Sequence, residues 1–315
     1  MTIQRFSPMY NFVRSRELEG TFPGGPETGA WIVTSMRIMR GWGGPDEKDW
    51  SYNGRAEDWP PVAPPGIDAL AKAHRIWDYR RVRTLQDGKQ AIVGKRLVIV
   101  AFDIIDQDWF NAKGGIIPMP APGRGCNAAH AVVIVGYNDN KKLLKIANCW
   151  GTSWGDHGYG YLPYDYFNNF LSEAWILGGV AKQYPPSKIN GVEEICWGGI
   201  DNGDGLHGVE FYDRRNDERI GWAFARPIDG FCDVEEFFVR PEYRGKGYGR
   251  RLCMMLRTLS QHMQSPIRLW VPHADAESRN MAAVEKVAGK LGLEIEASGV
   301  PWASYKAIAS TKKLR

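Results

Sequence analysis

A glycine-dense stretch between a strand-like run and a helical pattern constrains this chain more than any other feature. Residues 239–250 read VRPEYRGKGYGR and separate the apolar run 232–239 from an amphipathic helical pattern over 247–263. Glycines let a backbone pass close to a bulky anion, and a new helix N-terminus points free N–H groups and partial positive charge at it. Arg244 and Lys246 add positive charge. The stretch therefore predicts a turn that binds a diphosphate, and a plain strand-to-helix connection is the alternative.

The wider stretch VEEFFVRPEYRGKGYGRRL resembles the acetyl-CoA-binding segment of the GNAT acyltransferases, whose core is Arg/Gln-x-x-Gly-x-Gly/Ala. The resemblance covers about residues 190–310, places a GNAT domain with a mixed α/β sheet at 190–315, and implies acetyl-CoA as the cofactor and an amine as the acceptor. It also implies that the strand 234–239 pairs with the pantetheine arm like an added β-strand. The residues that it implies for cofactor binding are Phe237, Phe238, Val239, Arg244, Gly245, Lys246, Gly247, Tyr248, Gly249, Arg250 and Asn280.

The catalytic groups of this predicted domain are less clearly marked. The tyrosine that often protonates the leaving thiolate in the family would fall near Val287 or Ala288, so Tyr305 is the candidate acid here. Glu235 and Glu236 are candidates for the general base, since a carboxylate can take the proton that an amine loses as it attacks a thioester. Adjacent strand residues face opposite ways, so at most one of the two is expected to point at the reaction centre.

The chain also departs from the GNAT pattern in the segment that would form the acceptor pocket. GNAT proteins normally have one or two helices after the first strand, and these helices shape the acceptor pocket. The corresponding segment here, EICWGGIDNGDGLHGVEF, has no room for them. We therefore expect the N-terminal part of the chain to form that side of the acceptor pocket.

A second pattern lies in the first half of the chain, where His130 and Asn148 sit at the edges of two strand-like runs, 130–138 and 142–150. A further buried strand is predicted at 94–104. A cysteine nucleophile needs an imidazole beside it, and the imidazole needs an acceptor that fixes its tautomer. The pair is therefore a candidate catalytic dyad, with a structural histidine as the alternative. Two tryptophans are expected to shield the pair from water, Trp150 and Trp154.

The context of this pair, HAVVIVGYN…ANCWGTSWGDHGYGYLPYDYF, resembles the papain-like cysteine peptidases, in which a His-Ala-Val strand and an Asn-Ser-Trp-Gly-x-x-Trp-Gly turn supply the histidine and the asparagine. Cys149 stands where the family has serine. The segment that begins FSPMYNF is similar to the part of the family that follows the nucleophile helix. The resemblance implies helices with an antiparallel sheet or barrel over residues 1–182, truncated before that helix.

The nucleophile itself is the open question, because no cysteine precedes Cys126 in these residues. Cys126 lacks the helix N-terminus and the glutamine that the family uses to activate its thiol, and Cys149 is adjacent to Asn148 and is expected to point away, so neither is expected to serve. The chain is then a piece of a longer peptidase, a partner of a second polypeptide that supplies the helix, or an inactive descendant that binds peptide. Loss of the helix is expected to expose apolar surface around 27–40 and 131–135, which predicts self-association or a covering partner.

The length and composition of the chain fit a papain-like part followed by a GNAT part. A chain of 315 residues with a proline-containing linker at 181–190 predicts two domains of α+β class. Five scattered cysteines favour a reducing cytoplasm over a disulfide framework or a zinc site, and no metal is predicted. The start shows no signal sequence, no apolar run is long enough for a bilayer, and a net charge of +4 does not call for nucleic acid.

These observations predict an acyl-CoA-dependent N-acyltransferase that acetylates an amine, with an attached papain-like part that is catalytically incomplete and binds peptide. One alternative is a cysteine peptidase that uses His130 and Asn148, with a regulatory GNAT part. Another is a scaffold that binds acyl-CoA and peptide without turnover.

Overall fold

The computed structural model describes residues 4–25, 28–54, 58–178, 191–198, 205–271, 281–296 and 306–309. The described residues form two compact units. Those within Met1–Trp77, Val180–Gly299 and Tyr305–Arg315 make up the first unit, and those within Asp78–Gly179 and Val300–Ser304 make up the second. The predicted domain limits of 1–182 and 190–315 stay a prediction.

The second unit is a six-stranded antiparallel sheet with the strand order β1-β6-β2-β3-β4-β5. Its strands are β1 (Tyr79–Arg81), β2 (Val98–Ile104), β3 (Ala128–Asn138), β4 (Leu143–Ala147), β5 (Tyr159–Pro163) and β6 (Leu171–Leu177). Its helices are α4 (Leu85–Val93), α5 (Asp106–Phe110) and α6 (Tyr164–Phe170). The β-branched and aromatic run of β2 alternates in burial, so that Val98, Val100 and Phe102 enter the core.

The first unit contains a seven-stranded mixed sheet with the order β12-β13-β11-β10-β9-β8-β7, in which only the pair β10 and β11 is parallel among the described strands. Its strands are β7 (Val192–Gly198), β8 (His207–Asp213), β9 (Glu218–Ile228), β10 (Phe231–Val239), β11 (Ile267–Val271), β12 (Glu294–Glu296) and β13 (Lys306–Ala309). Its helices are α1 (Pro8–Glu19), α2 (Ile32–Gly41), α3 (Ile67–Ala71), α7 (Tyr248–His262) and α8 (Met281–Leu291).

Helices cover both faces of this sheet at β9. Ala223 and Ala225 share a core with Leu252 and Leu256 of α7. The side chain of Trp222 alternates with these alanines and therefore faces the other way. On that face Arg40 of α2 lies over the Trp222 and Phe224 rings, at 5.3 and 4.6 Å from their centroids. A Cβ placed on Gly41 would come within 3.1 Å of the Trp222 ring, so glycine at this position lets the helix lie close to the sheet.

The expected apolar exposure is wrong for the large apolar side chains of α2, and on β3 it holds in part, since Ala131 is exposed and Val133 and Val135 are half-buried. Val33, Met36 and Ile38 are at most 2% exposed, because α2 packs against α1 and β9. Val132 and Ile134 are also buried, in the core of the second unit.

Strands β7 and β8 are direct neighbours, paired from Val192 opposite Asp213 to Gly198 opposite His207. The two strands that flank this segment are therefore adjacent in the sheet as well as along the chain. The predicted α+β class is confirmed, since each unit combines helices with a sheet. Among the helices in the described ranges, none combines the length and the apolar character that crossing a bilayer requires.

Candidate functional sites

The glycine-dense turn connects β10 to α7 as predicted. Gly245 and Gly247 adopt φ angles of +78° and +89°, which favour glycine, and Gly247 precedes the first turn of α7 without a side-chain cap. A Cβ placed on Gly245, Gly247 or Gly249 would meet no atom within 4 Å, so space is open beside all three. The first N–H groups of a helix have no partner within it. The turn therefore fits a bulky anion such as a diphosphate.

Basic residues are interspersed with the glycines of this turn. Arg244, Lys246 and Arg250 are exposed. Arg244 Nε donates to the Val239 carbonyl at 3.0 Å, which ties the turn to the end of β10. Tyr248 packs against Phe211 with ring centroids 5.2 Å apart, so its ring anchors the start of α7 to the sheet.

The edge of β10 also bears on the predicted cofactor site. The pairing of β10 with β11 covers only Cys232, Asp233 and Val234, whereas the pairing with β9 continues to Val239. Among the described residues, the stretch 235–239 has no strand on the β11 side. An extended ligand can add to such an edge as a strand does. The side chain of Phe238 points into the interior and packs on Trp222, with centroids 5.0 Å apart.

The expectation that Glu235 and Glu236 simply alternate is wrong, because a β-bulge interrupts the register between Val234 and Glu236. Both glutamates are 2% exposed. Glu235 Oε1 lies 2.6 Å from Arg226 Nε, and Glu236 accepts hydrogen bonds from Arg37 at 2.9 and 3.2 Å. Carboxylate oxygens held by guanidinium groups are poorly placed to take a proton from a substrate amine. The base role of either residue stays a prediction that this geometry disfavours.

Two predicted residues, Asn280 and Tyr305, lie outside the described residues.

His130 and Asn148 meet as predicted. His130 lies on β3 opposite Phe102, Asn148 follows β4, and the His130 Nε2 to Asn148 Oδ1 distance is 2.8 Å. Oδ1 also accepts from the Cys149 N–H at 2.8 Å, which identifies this atom as the amide oxygen. Nε2 must then donate, and in the neutral ring the lone pair is on Nδ1. Nδ1 has no hydrogen-bond partner among the described residues, so this nitrogen is available as a base.

Aromatic rings hold the imidazole in place. Trp150 stacks on His130 with centroids 4.5 Å apart, and Phe110 stacks on Trp150 at the same distance. Trp154 Nε1 donates to the Trp109 carbonyl at 2.8 Å, and the Trp109 ring meets the edge of His130. Trp150 and Trp154 were expected to lie beside this pair. Trp109 and Phe110 were not, because their only signal is a short helix 20 residues before His130.

Four of the cysteines are free thiols: Cys126, Cys149, Cys232 and Cys253. Burial, with a smaller contribution from Asp103, raises the pKa of the Cys126 thiol. This shift disfavours the reactive thiolate, in line with the expectation that Cys126 is not the nucleophile.

Burial lowers the pKa of His130, and the hydrogen bond to Asn148 acts in the opposite direction. Because the folded state binds the proton more weakly than the unfolded chain, this group's contribution to stability is lost as the pH falls from 6.5 towards the lowered pKa. Replacing Asn148 by alanine should lower the pKa of His130 further. An NMR titration of the imidazole checks this result. Asn127→Ala removes an amide from the loop that precedes β3 and should leave the titration unchanged, and equal shifts in both variants would contradict the assignment.

Two protein-family models match the chain. The one described as "Papain family cysteine protease" matches residues 27–171, and the one described as "Acetyltransferase (GNAT) family" matches residues 180–289. The chain therefore contains a papain-family cysteine peptidase domain followed by a GNAT acetyltransferase domain. Both predicted resemblances are confirmed at this level.

Three similar proteins are peptidases or peptidase-like by their names. A peptidase C1-like protein of Acanthamoeba polyphaga mimivirus is 29% identical over 203 residues, which is 58% of this chain and 63% of that protein. Papain of Carica papaya is 37% identical over 67 residues, 21% of this chain and 18% of papain. Xylellain, a cysteine protease from Xylella fastidiosa, is 26% identical, with a TM-score of 0.49 over 56% of this chain and 70% of its own. The chain spans less than two-thirds of the length of the curated relatives it matches.

Proposed function

We propose that this protein is an acyl-CoA-dependent N-acyltransferase that transfers an acetyl group to an amine, and that the papain-family part binds the peptide or protein that carries the amine. The observation that carries the proposal is the open, glycine-lined turn at the N-terminus of α7, next to the edge of β10 that no described strand covers. Phosphates favour such a helix N-terminus, and a pantetheine arm fits such an edge.

Different residues of this site would bind different parts of the cofactor. The N–H groups near Gly247 and Gly249 would hold the diphosphate, with Arg244, Lys246 and Arg250 contributing positive charge. Residues 237–239 would hold the arm. When bound, acetyl-CoA supplies a thioester whose C–S bond is exchanged for a C–N bond to the acceptor, while the amine proton leaves with the thiol or with water.

The test is to incubate the full chain with acetyl-CoA and amine-bearing peptides, and to measure release of the CoA thiol together with the mass of the peptides. Thiol release matched by acetylated peptide supports the proposal. Binding of CoA without transfer to any amine would favour the non-catalytic scaffold instead.

A cysteine peptidase is the second candidate, and the 2.8 Å contact between His130 and Asn148 favours it. This function needs a thiol from a segment that precedes these residues or from a partner. A thiol reagent directed at peptidase active sites should then label the nucleophile in a way that His130→Ala abolishes. Labelling that persists in His130→Ala but disappears in Cys126→Ser or Cys149→Ser would identify an ordinary exposed thiol.

Self-association, or binding of a partner protein, also stays a proposal. Measurement of the mass in solution checks it, and a well-behaved monomer over a wide concentration range would count against it. A cytoplasmic location likewise stays a prediction.

A further inference from the structure

Two arginine side chains of helix α2 point into the interior of the first unit. Arg37 and Arg40 lie three residues apart and therefore share one face of the helix, and their side chains are 4% and 0% exposed. Both reach glutamates on the sheet. This helix lies within the residues matched by the papain-family model, whereas the glutamates lie within those matched by the GNAT model.

Arg37 donates two hydrogen bonds to Glu236. Nη2 donates to Oε1 at 2.9 Å and Nε donates to Oε2 at 3.2 Å, which is the bidentate geometry that guanidinium and carboxylate groups favour. The guanidinium also lies 5.0 Å from the centroid of the Phe238 ring. These contacts fix the Glu236 side chain in one position.

The Glu236 carboxylate in turn holds the backbone just after the bulge. Its Oε1 accepts the Phe237 N–H at 2.9 Å. Arg240 N donates to Ile220 of β9, and N–H directions alternate along a strand. The Phe237 N–H therefore faces away from β9, at the edge of β10 that no described strand covers. The ion pair thus sets the orientation of the peptide unit at this edge.

Arg40 provides an internal comparison. Its Nη2 lies 2.5 Å from Glu210 Oε2, and Arg219 Nε lies 3.4 Å from the same oxygen. Glu210 is on β8, which is separated from β10 by β9. Both ion pairs join a buried arginine of α2 to a buried glutamate of the sheet, but only that of Arg37 reaches the bulge.

We propose that Arg37 is a positioning residue of the acyl-CoA site, acting through Glu236 to set the edge of β10 against which the pantetheine arm lies. This inference rests on the proposed acyltransferase function. It means that a helix of the papain-family part helps to build the cofactor site of the acetyltransferase part.

The test compares two ligands on the full chain by calorimetry. Coenzyme A uses the turn and the edge, whereas 3′-phospho-ADP, which lacks the arm, uses the turn alone. Arg37→Lys keeps the charge but loses the bidentate contact, and the paired change Arg37→Gln with Glu236→Gln removes both charges of this ion pair. Both changes should lower the affinity for coenzyme A by about tenfold or more, as expected for loss of a charge-assisted hydrogen bond. The affinity for 3′-phospho-ADP should stay unchanged.

The matched controls are Arg40→Lys and the paired change Arg40→Gln with Glu210→Gln. They should lower the melting temperature while leaving the affinities for both ligands unchanged. Equal losses for the two ligands, equal effects of the Arg37 and Arg40 changes, or no loss with Arg37 would each overturn the inference. Failure of the unchanged protein to bind coenzyme A would instead overturn the proposed function, and this inference with it.

Discussion

Replacing Gly249 by glutamate is expected to weaken the binding of coenzyme A by about a hundredfold or more while the protein stays folded. A Cβ at this position meets no atom within 4 Å, so the side chain fits without moving the turn. A carboxylate in the first turn of α7 is favourable for the helix itself. It would, however, take the space and the N–H groups proposed for the diphosphate, and losing two charge-assisted hydrogen bonds corresponds to about a hundredfold or more.

Gly289→Glu is the matched control for this variant. Gly289 lies on α8, and a Cβ there also meets no atom within 4 Å. Calorimetric titration with coenzyme A should show the loss in Gly249→Glu and full affinity in Gly289→Glu. Full affinity in both variants would contradict the placement of the diphosphate at this turn.

A polypeptide of residues 190–315 alone is expected to be less stable than the same residues in the full chain by about 5 kcal/mol or more. Trp222, Phe224 and Phe238 are at most 5% exposed, and contacts with residues 37–42 help to cover them. Burial of one large apolar side chain contributes about 1.5–3 kcal/mol. Because a whole domain is stabilised by only about 5–15 kcal/mol, the isolated piece should melt broadly or aggregate.

Supplying residues 1–77 as a separate chain should restore a cooperative transition, as measured by thermal denaturation and near-ultraviolet circular dichroism. The same chain with Arg40→Glu should fail to do so, since it places a second negative charge beside the buried Glu210. A sharp transition of residues 190–315 alone, at the melting temperature of the full chain, would contradict the prediction.

Local patterns in the sequence predicted most of the secondary structure near the sites. The run predicted as a strand at 94–104 forms β2, Val98–Ile104, and the pattern at 247–263 forms α7, Tyr248–His262. Such patterns depend on neighbours within a few residues. Helix α4 was not predicted, although Thr84 and Asp87 cap its N-terminus reciprocally and their spacing was a usable signal.

Long-range pairing is what the sequence did not reveal. Arg37 and Glu236 are 199 residues apart, and no local pattern connects them. The sole signal was a pair of arginines in the otherwise apolar turn MRIMR. The bulge after Val234 was also missed, since the run VEEFFV is equally compatible with regular alternation. The cofactor turn could be predicted because its glycines and its helix N-terminus are contiguous, whereas the surroundings of Glu236 are assembled from distant segments.

The position of α2 also limits how this gene can evolve. A recombination event that replaced the peptidase-like half with another module would remove Arg37 and Arg40 and leave Glu210 and Glu236 buried without them. Domain shuffling at the linker should therefore be selected against, and lineages that inherit one half should be expected to keep the other.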